Sequence, residues 1–262
     1  MIPQPEEFDI IDAHVHPFLD ENQDNIGNFD RPKTMEEFDQ EMKRVGIRRY
    51  AGAPLVLTPV SDFQKIRELN DTALRIRDRF PAYIPGMQVH GSFPEESIAE
   101  MKRLYEQEDV RYVGELVPYL MNTGKYNSPG MLEILKAAGE MGLTANLDWG
   151  EINIVTDVME NCPGLNVILA HPGEPLQAKE RFELVAKYKH LHMDISGYGL
   201  FRWNMLRYAI DVCGPEKLIF GSDMPTCNPG MYLYGALSEH LTKEEFRLVL
   251  GGNFKRLLGL TD

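Results

Sequence analysis

The sequence predicts an α/β protein that folds as a single-domain TIM-type (β/α)8 barrel over residues 1–262. Short runs of β-type apolar residues alternate with longer stretches of helical periodicity, at an average spacing of about 33 residues if the chain holds eight units. The chain has 262 residues, of which 43% are hydrophobic, which is enough for one large core. No low-complexity linker divides it. These observations together favour one closed parallel sheet.

Eight apolar runs are predicted to be the strands of this sheet. The first, Phe8–Ala13, stops immediately before a pair of histidines. In a parallel barrel the carboxyl ends of all eight strands meet at one rim, where active sites are built. The other seven predicted strands are residues 49–55, 83–89, 112–117, 143–147, 166–170, 191–195 and 217–220.

Capping sequences predict where several helices begin and end. Thr34-Met35-Glu36-Glu37 forms a capping box, and the helix that it opens ends at Gly46. A second capping box, Thr242-Lys243-Glu244-Glu245, opens the last helical stretch. The remaining predictions are Ser61 or Asp62 as the cap of the second helix, Ser128 as the cap of the helix after strand four, and an apolar turn of Phe254, Leu257 and Leu258 against the barrel wall.

The composition narrows the class of partner. The net charge of −13 argues against a nucleic acid or an anionic membrane, because both need clustered Lys and Arg. The three cysteines lack Cys-x-x-Cys spacing, so neither a disulfide framework nor a thiolate zinc site is predicted. We find no signal-peptide pattern at the amino terminus and no apolar run of the roughly eighteen residues that a membrane span needs. The sequence therefore predicts a cytoplasmic protein that acts on a small molecule.

The motif His14-Val15-His16 stands where the first predicted strand ends. Because successive side chains of a strand alternate between its faces, both imidazoles leave the same face, with Cα atoms roughly 6–7 Å apart. One metal ion can bridge that spacing. His190-Leu191-His192 has the same spacing but opens a strand, so we expect this second pair at the opposite, structural end of the barrel.

Polar side chains follow most of the other strands. His171 precedes Pro172-Gly173, where the chain leaves the barrel, so its ring is expected over the mouth, although it could instead cap the next helix near Glu174. Asp223 can hold a metal ion, accept a proton from its water, or do both, unless it only caps the following loop. The full set after the strands is His14, His16, His90, Glu115, Asp148, His171, Ser196, Tyr198 and Asp223.

Four motifs in this order resemble the amidohydrolase superfamily, and in particular its amidohydrolase-related branch. That branch contains carboxymuconate-semialdehyde and resorcylate decarboxylases, lactonases and hydratases alongside hydrolases. The resemblance implies that His14 and His16 bind a divalent metal, that His171 binds the metal, its water or the substrate, and that Asp223 is a ligand and proton acceptor. It implies zinc first, with iron, manganese or cobalt also accommodated. The motifs are Asp12-Ala13-His14-Val15-His16, Leu169-Ala170-His171-Pro172-Gly173, Phe220-Gly221-Ser222-Asp223-Met224-Pro225 and Gly251-Gly252-Asn253-Phe254.

Two positions modify what the resemblance implies. Relatives usually carry a histidine after strand five, where this chain has Asp148. A carboxylate can replace imidazole as a zinc ligand, so Asp148 is predicted to bind metal, with substrate binding at a metal-free site as the alternative. Glu115 resembles the glutamate after strand four of TatD-type metal-dependent hydrolases, which would allow two ions; otherwise it forms a salt bridge inside the mouth.

Substrate contacts are predicted from position alone. His90 ends strand three, Tyr198 follows strand seven, and Arg202 and Lys125 lie in rim loops where a cation can hold a substrate carboxylate. The rim loops 20–33 and 121–128 show no motif that identifies the substrate.

The function predicted first is a metal-dependent hydrolase that acts on a small amide, ester or lactone through a metal-activated water, with Asp223 as the base. The alternatives are a non-oxidative decarboxylase of a small carboxylated substrate, a metal-free lactonase or hydratase, and a barrel that binds a ligand without turnover. The resemblance also implies a homo-oligomer.

Overall fold

The eight strands form one parallel sheet whose order follows the chain. The computed structural model describes residues 2–19, 29–197, 200 and 202–261. The strands are β1 Ile11–Asp12, β2 Arg49–Gly52, β3 Tyr83–Met87, β4 Tyr112–Leu116, β5 Thr144–Leu147, β6 Asn166–Leu169, β7 Leu191–Asp194 and β8 Leu218–Ile219. The Ala13 amide donates to the Phe220 carbonyl at 2.9 Å, and Val15 pairs with Met224, so β8 meets β1. The predicted TIM-type (β/α)8 barrel is confirmed.

Most strands end one to three residues earlier than predicted, because the chain leaves the sheet at the rim. Gly52, the last residue of β2, shows the reason. A Cβ atom at this position would lie 1.8 Å from the Val15 carbonyl oxygen, so only glycine allows this close approach to the histidine loop. The apolar residues that follow, Leu55 and Val56, are buried under the rim instead of extending the strand.

Helices alternate with the strands and cover the barrel. They are α1 Met35–Val45, α2 Phe63–Arg79, α3 Pro94–Glu108, α4 Pro118–Met121, α5 Pro129–Glu140, α6 Ile152–Asn161, α7 Pro175–Lys187, α8 Met205–Cys213, α9 Pro229–Leu237, α10 Lys243–Arg247 and α11 Asn253–Leu258. Within the described ranges, no helix is both long enough and apolar enough to cross a membrane.

The helix caps agree with the sequence in part. Asp62 caps α2, and Thr242 with Glu245 forms a complete capping box at α10. At α1 only half of the predicted box is present: the Thr34 hydroxyl accepts from the Glu37 amide, but the Glu37 carboxylate accepts from the Lys33 amide at 2.6 Å. Ser128 is the residue before α5, but its side chain makes no capping hydrogen bond.

The carboxyl-terminal helix closes the end of the barrel opposite the histidines. Phe254, Leu257 and Leu258 of α11 pack with inward side chains of the strands, including Ile11 and Ile168. The prediction that these residues pack against the barrel is confirmed.

A buried carboxylate of α3, Glu100, pairs with Arg103 of the same helix and connects α3 to α2. The Glu100 side chain is 1% exposed and accepts two hydrogen bonds from Arg103, at 2.7 and 2.9 Å. Asn70 of α2 donates to the same carboxylate at 3.4 Å and also holds the Gln88 amide. Burial alone would raise the pKa of Glu100, but the hydrogen bonds and charge of Arg103 hold it below the ordinary value.

We expect Glu100→Gln to lower the free energy of unfolding by about 1–3 kcal/mol at pH 7, because Arg103 loses its buried charge partner and keeps Asp71, at 2.9 Å. The folded-state pKa is depressed, so this stability is present above the unfolded-state pKa and is lost as the pH falls through the folded-state value. Urea unfolding between pH 7 and 3 should therefore show a smaller acid loss in the variant. Equal slopes in the two proteins would contradict this.

Candidate metal centre

The two histidines of the first motif lie together at the barrel mouth. Both are 1% exposed, and their Nε2 atoms are 3.3 Å apart. The loop that carries them is fixed to the end of β8, because the Asp223 amide donates to the His14 carbonyl and the His16 amide donates to the Met224 carbonyl, each at 2.8 Å. The Asp12 carboxylate accepts from the His14 amide, at 3.1 Å, and from the Ser222 amide, at 2.9 Å. The predicted convergence of the pair is observed.

Glu115 of β4 lies between this pair and a third histidine. Its Oε2 atom is 3.3 Å from Nε2 of both His14 and His16. Its Oε1 atom is 3.6 Å from His171 Nε2 and has no hydrogen-bond partner. The Gln88 side chain donates to the Glu115 carbonyl at 2.9 Å and so fixes its backbone. One carboxylate therefore faces two groups of imidazole nitrogens.

Asp223 and His171 occupy positions with an uncommon backbone conformation. Asp223 Oδ1 is 3.3 Å from His16 Nε2 and 3.8 Å from His14 Nε2. Both residues have φ = +64°, a left-handed conformation that costs a non-glycine residue about 1–3 kcal/mol. At His171 the turn is held by Arg181, which donates to its carbonyl at 2.6 Å. Such conformations concentrate at functional sites.

Asp148 lies beside His171 and apart from the first histidine pair. Its Oδ1 atom is 3.8 Å from His171 Nε2 and accepts from the Trp149 amide at 2.7 Å. The groups of side chains with ligand atoms within 4.8 Å of one another include His14, His16 and Glu115 in one set and Glu115, Asp148 and His171 in another. The carboxylate thus reaches the site, but on the side of Glu115 that faces His171.

The pKa shifts follow from burial and opposite charge. Burial alone would lower the pKa of His14, but Glu115 and Asp194 raise it well above its ordinary value. Asp223 and Glu115 likewise raise the pKa of His16 to about 9 against the effect of burial. Burial would raise the pKa of Glu115, and the charge of His14 keeps it well below its ordinary value. Burial and Glu115 raise the pKa of Asp148 to about 6.

The side chains of this centre form a ligand set that suits a bound cation. Among the described residues, every ion pair of Glu115, Asp148, Asp194 and Asp223 is with a histidine. Buried carboxylates are costly unless they are paired or bind a metal, and Glu115 Oε1 is buried without a hydrogen bond. Imidazole nitrogen with carboxylate oxygen is a ligand set that suits zinc or manganese. These residues therefore fit a divalent ion.

Sequence reasoning missed Asp194, the last residue of β7. Its carboxylate is fully buried and accepts from His14 Nδ1 at 2.9 Å and from the Asn146 side chain at 3.1 Å. The predicted strand 191–195 included this residue, so it was not counted among the residues that follow strands. An acid inside an apolar strand was the available indication, because a buried carboxylate needs partners.

The other predicted substrate contacts are His90, Arg202, Lys125 and Tyr198. His90 is 2% exposed; its Nε2 donates to the Val60 carbonyl at 3.0 Å and its Nδ1 accepts from the Ser92 amide at 3.1 Å, so both nitrogens already hold the loop. Arg202 contacts Glu174 at 2.6 Å, next to the His171 turn. Lys125 is exposed, and Tyr198 lies outside the described residues.

The second histidine pair lies at the opposite end, as predicted. His190 precedes the first residue of β7, and its Nδ1 is 3.0 Å from the Asn166 side chain. His192 lies within β7 and is 3% exposed. The pair therefore has no part in the centre at the mouth.

A family comparison identifies the family of this chain. An amidohydrolase family model matches residues 11–260, which is nearly the whole chain. The chain belongs to the amidohydrolase family. The amidohydrolase resemblance of the sequence motifs is thereby confirmed, and the chain belongs to an enzyme family. No curated protein matches the sequence.

Solved structures share the fold of this amidohydrolase at low sequence identity. The 2,6-dihydroxybenzoate decarboxylase from Rhizobium is 14% identical, with a TM-score of 0.72 over 97% of this chain and 99% of that one. The 5-carboxyvanillate decarboxylase from Sphingomonas paucimobilis is 15% identical, with a TM-score of 0.71 over 96% and 99%. The same enzyme from Novosphingobium aromaticivorans, complexed with manganese, is 12% identical, with a TM-score of 0.74 over 99% of both chains.

Proposed function

We propose that this amidohydrolase is a metal-dependent decarboxylase, which releases carbon dioxide from a small carboxylated substrate without oxidation. The main structural support is the buried cluster at the barrel mouth, in which Glu115 lies between the His14–His16 pair and His171. The sequence alone predicts a hydrolase first. The decarboxylases that share the fold support the decarboxylase proposal over that prediction. We place the substrate among small aromatic acids for the same reason.

The proposed ligands of the ion are His14, His16, Glu115 and Asp223. The nearest ligand atom of each of the other three lies 3.3 Å from His16 Nε2. When bound, the ion would supply positive charge for the substrate carboxylate and an adjacent oxygen. Manganese and zinc are the first candidates. The carboxylate-rich set favours the harder ion, and the Novosphingobium structure contains manganese.

The reaction breaks the bond between a substrate carbon and its carboxylate, and that carbon gains a proton. Asp148 is the proposed proton donor. Burial and the Glu115 carboxylate raise the pKa of Asp148 towards neutral pH, and proton donors work best when their pKa lies near the working pH. His171 Nε2, 3.8 Å from Asp148, lies within reach to accept a hydrogen bond from a substrate hydroxyl. Carbon dioxide leaves, and solvent supplies the next proton.

Hydrolysis of an amide, ester or lactone is the second candidate, and the position of Asp223 favours it. The side chain is 10% exposed and lies 3.3 Å from His16 Nε2, where a carboxylate can take a proton from attacking water. In this reading Asp223 is the base, and Asp148 binds the substrate.

The two reactions leave different isotopes in the product. Protein stripped with a chelator and reloaded with Mn²⁺ or Zn²⁺ is given hydroxybenzoates, carboxylated methoxyphenols, lactones, esters and amides in D₂O and in H₂¹⁸O. Carbon dioxide release with one deuterium on the product carbon per turnover supports the proposal. Incorporation of ¹⁸O without carbon dioxide contradicts it and supports hydrolysis, whereas no product with any substrate contradicts both.

The second histidine pair provides a matched control. His190→Ala removes a histidine of the same His-x-His spacing at the far end of the barrel, and full activity is expected. His16→Ala should lose activity and metal together, because it removes a nitrogen that lies 3.3 Å from both Glu115 and Asp223.

A further inference from the structure

Asp194 connects the two histidine groups of the centre. One oxygen, Oδ2, accepts from His14 Nδ1 at 2.9 Å and from Asn146 at 3.1 Å. The other, Oδ1, accepts from the Ser196 amide at 3.0 Å and from the His171 amide at 3.3 Å. It also receives the Ser196 hydroxyl. All of these partners are donors, so the site is built for an ionised carboxylate.

The Ser196 hydroxyl extends this arrangement to His171. Its Oγ atom is 3.0 Å from His171 Nδ1 and 3.1 Å from His14 Nδ1, and its contact with Asp194 is the shortest of the three. A hydroxyl has one proton to donate, and the ionised carboxylate takes it because that acceptor is the stronger. Ser196 Oγ is therefore an acceptor towards both rings, and His171 must present a protonated Nδ1.

The loop is shaped for this contact. Gly197 has φ = +64°, and a Cβ atom on it would lie 2.3 Å from His171 Nδ1. Only glycine therefore lets the chain after Ser196 pass so close to the ring.

We infer that Asp194 is the positioning residue that sets the tautomer of both rings, of His14 directly and of His171 through Ser196. With each imidazole holding a proton on Nδ1, its Nε2 on the side of Glu115 is the nitrogen that is left to bind the ion or exchange a proton. A histidine binds metal or accepts a proton only through a nitrogen without a hydrogen, so this choice decides whether either ring can work. The inference rests on the proposed function only in assuming that the Nε2 atoms are the ones that bind the ion or exchange a proton.

Two substitutions separate the direct effect from the relayed one. In Asp194→Asn, one face of the side chain becomes an NH₂ group that meets only donors, so His14 or the Ser196 turn loses its acceptor. We expect the affinity for Zn²⁺ to fall about 10- to 100-fold, as for other groups that orient a ligand. Ser196→Ala removes the acceptor of His171 and one of the two acceptors near His14 Nδ1, and Asp194 Oδ2 still holds His14 at 2.9 Å. The Zn²⁺ affinity should then stay within about threefold of that of the unsubstituted protein, because His171 is not one of the four proposed ligands. Loss of a group that orients a ligand would lower the affinity about tenfold or more.

The experiment measures ring nitrogens and metal affinity together. Long-range ¹H–¹⁵N spectra of histidine-labelled, Zn²⁺-loaded protein report which nitrogen of each ring carries hydrogen, and chelator competition gives the Kd for Zn²⁺. We expect Nδ1–H at His14 and His171 in the unsubstituted protein, and loss of that state at His171 alone in Ser196→Ala. Thr144→Val is the control, because it removes another fully buried hydroxyl, which donates to the Leu257 carbonyl at 3.2 Å, far from the centre.

Nε2–H at His171 in the unsubstituted protein, or spectra and Kd values that neither substitution changes, would overturn the inference. If Asp194→Asn fails to fold, the Ser196→Ala spectra still decide the relayed part. Ring states as expected in a protein that neither decarboxylates nor hydrolyses any substrate would refute the proposed function and leave this inference standing.

Discussion

Replacing Glu115 by Gln is expected to lower the affinity of the centre for Mn²⁺ or Zn²⁺ by more than about 100-fold, beyond the 10- to 100-fold cost of losing an outer-shell residue. The side chain keeps its size but loses the charge that faces three histidines. Its new NH₂ group must point either at the His14–His16 pair or at His171, and it cannot bind a metal there. Turnover should fall with the bound metal.

The measurement is metal content by elemental analysis after dialysis, together with the rise in Tm on addition of Mn²⁺. Ligand that binds the folded state alone stabilises it by about 2.7 kcal/mol at 100 times Kd, so the unsubstituted protein should show a clear shift and Glu115→Gln none. Glu100→Gln is the matched control, because Glu100 is also a buried glutamate but pairs with Arg103 within α3. Glu100→Gln should be less stable and keep its metal. Full metal content in Glu115→Gln would show that Glu115 is only a salt-bridge partner.

The barrel and several residues of the centre can be predicted from the sequence, because both follow from local patterns. The apolar runs indicate the strands and the residues after them indicate the rim, so His14, His16, His171 and Asp223 can be predicted there from the sequence alone. Each lies two to four residues after the last residue of the strand that precedes it.

Contacts between residues on different sides of the barrel cannot be predicted from local sequence patterns. Asp194 and His14 are 180 positions apart in the chain, and only closure of the sheet makes them partners. Asp148 follows β5 as expected, yet its pairing with His171 depends on how far each loop leans over the mouth. His90 fits the rim pattern equally well, but the loops around it use both of its ring nitrogens. Strand ends show which residues reach a rim, and not which of them meet.

Replacing Asp148 by Asn is expected to lower kcat for decarboxylation by about 100- to 10,000-fold, the usual contribution of a positioned proton donor, with metal content unchanged. The carboxyl lies on the His171 side of Glu115, 3.8 Å from His171 Nε2, and so is separate from the proposed ligand group around His16. An amide of the same shape can still accept from the Trp149 amide, which holds the loop in place. Only the transferable proton is lost.

Asp223→Asn distinguishes the two reactions, because each assigns that carboxylate a different role. If the protein is a decarboxylase, Asp223 is a ligand 3.3 Å from His16 Nε2, so its substitution should release metal while Asp148→Asn retains it. If it is a hydrolase, Asp223 is the base, and Asp223→Asn should lose turnover with its metal largely in place. Metal analysis and single-turnover rates on both variants separate these cases. Loss of metal from Asp148→Asn, or two equivalents of metal per chain in the unsubstituted protein, would instead make Asp148 a ligand beside Glu115 and His171 and would remove it as the proton donor.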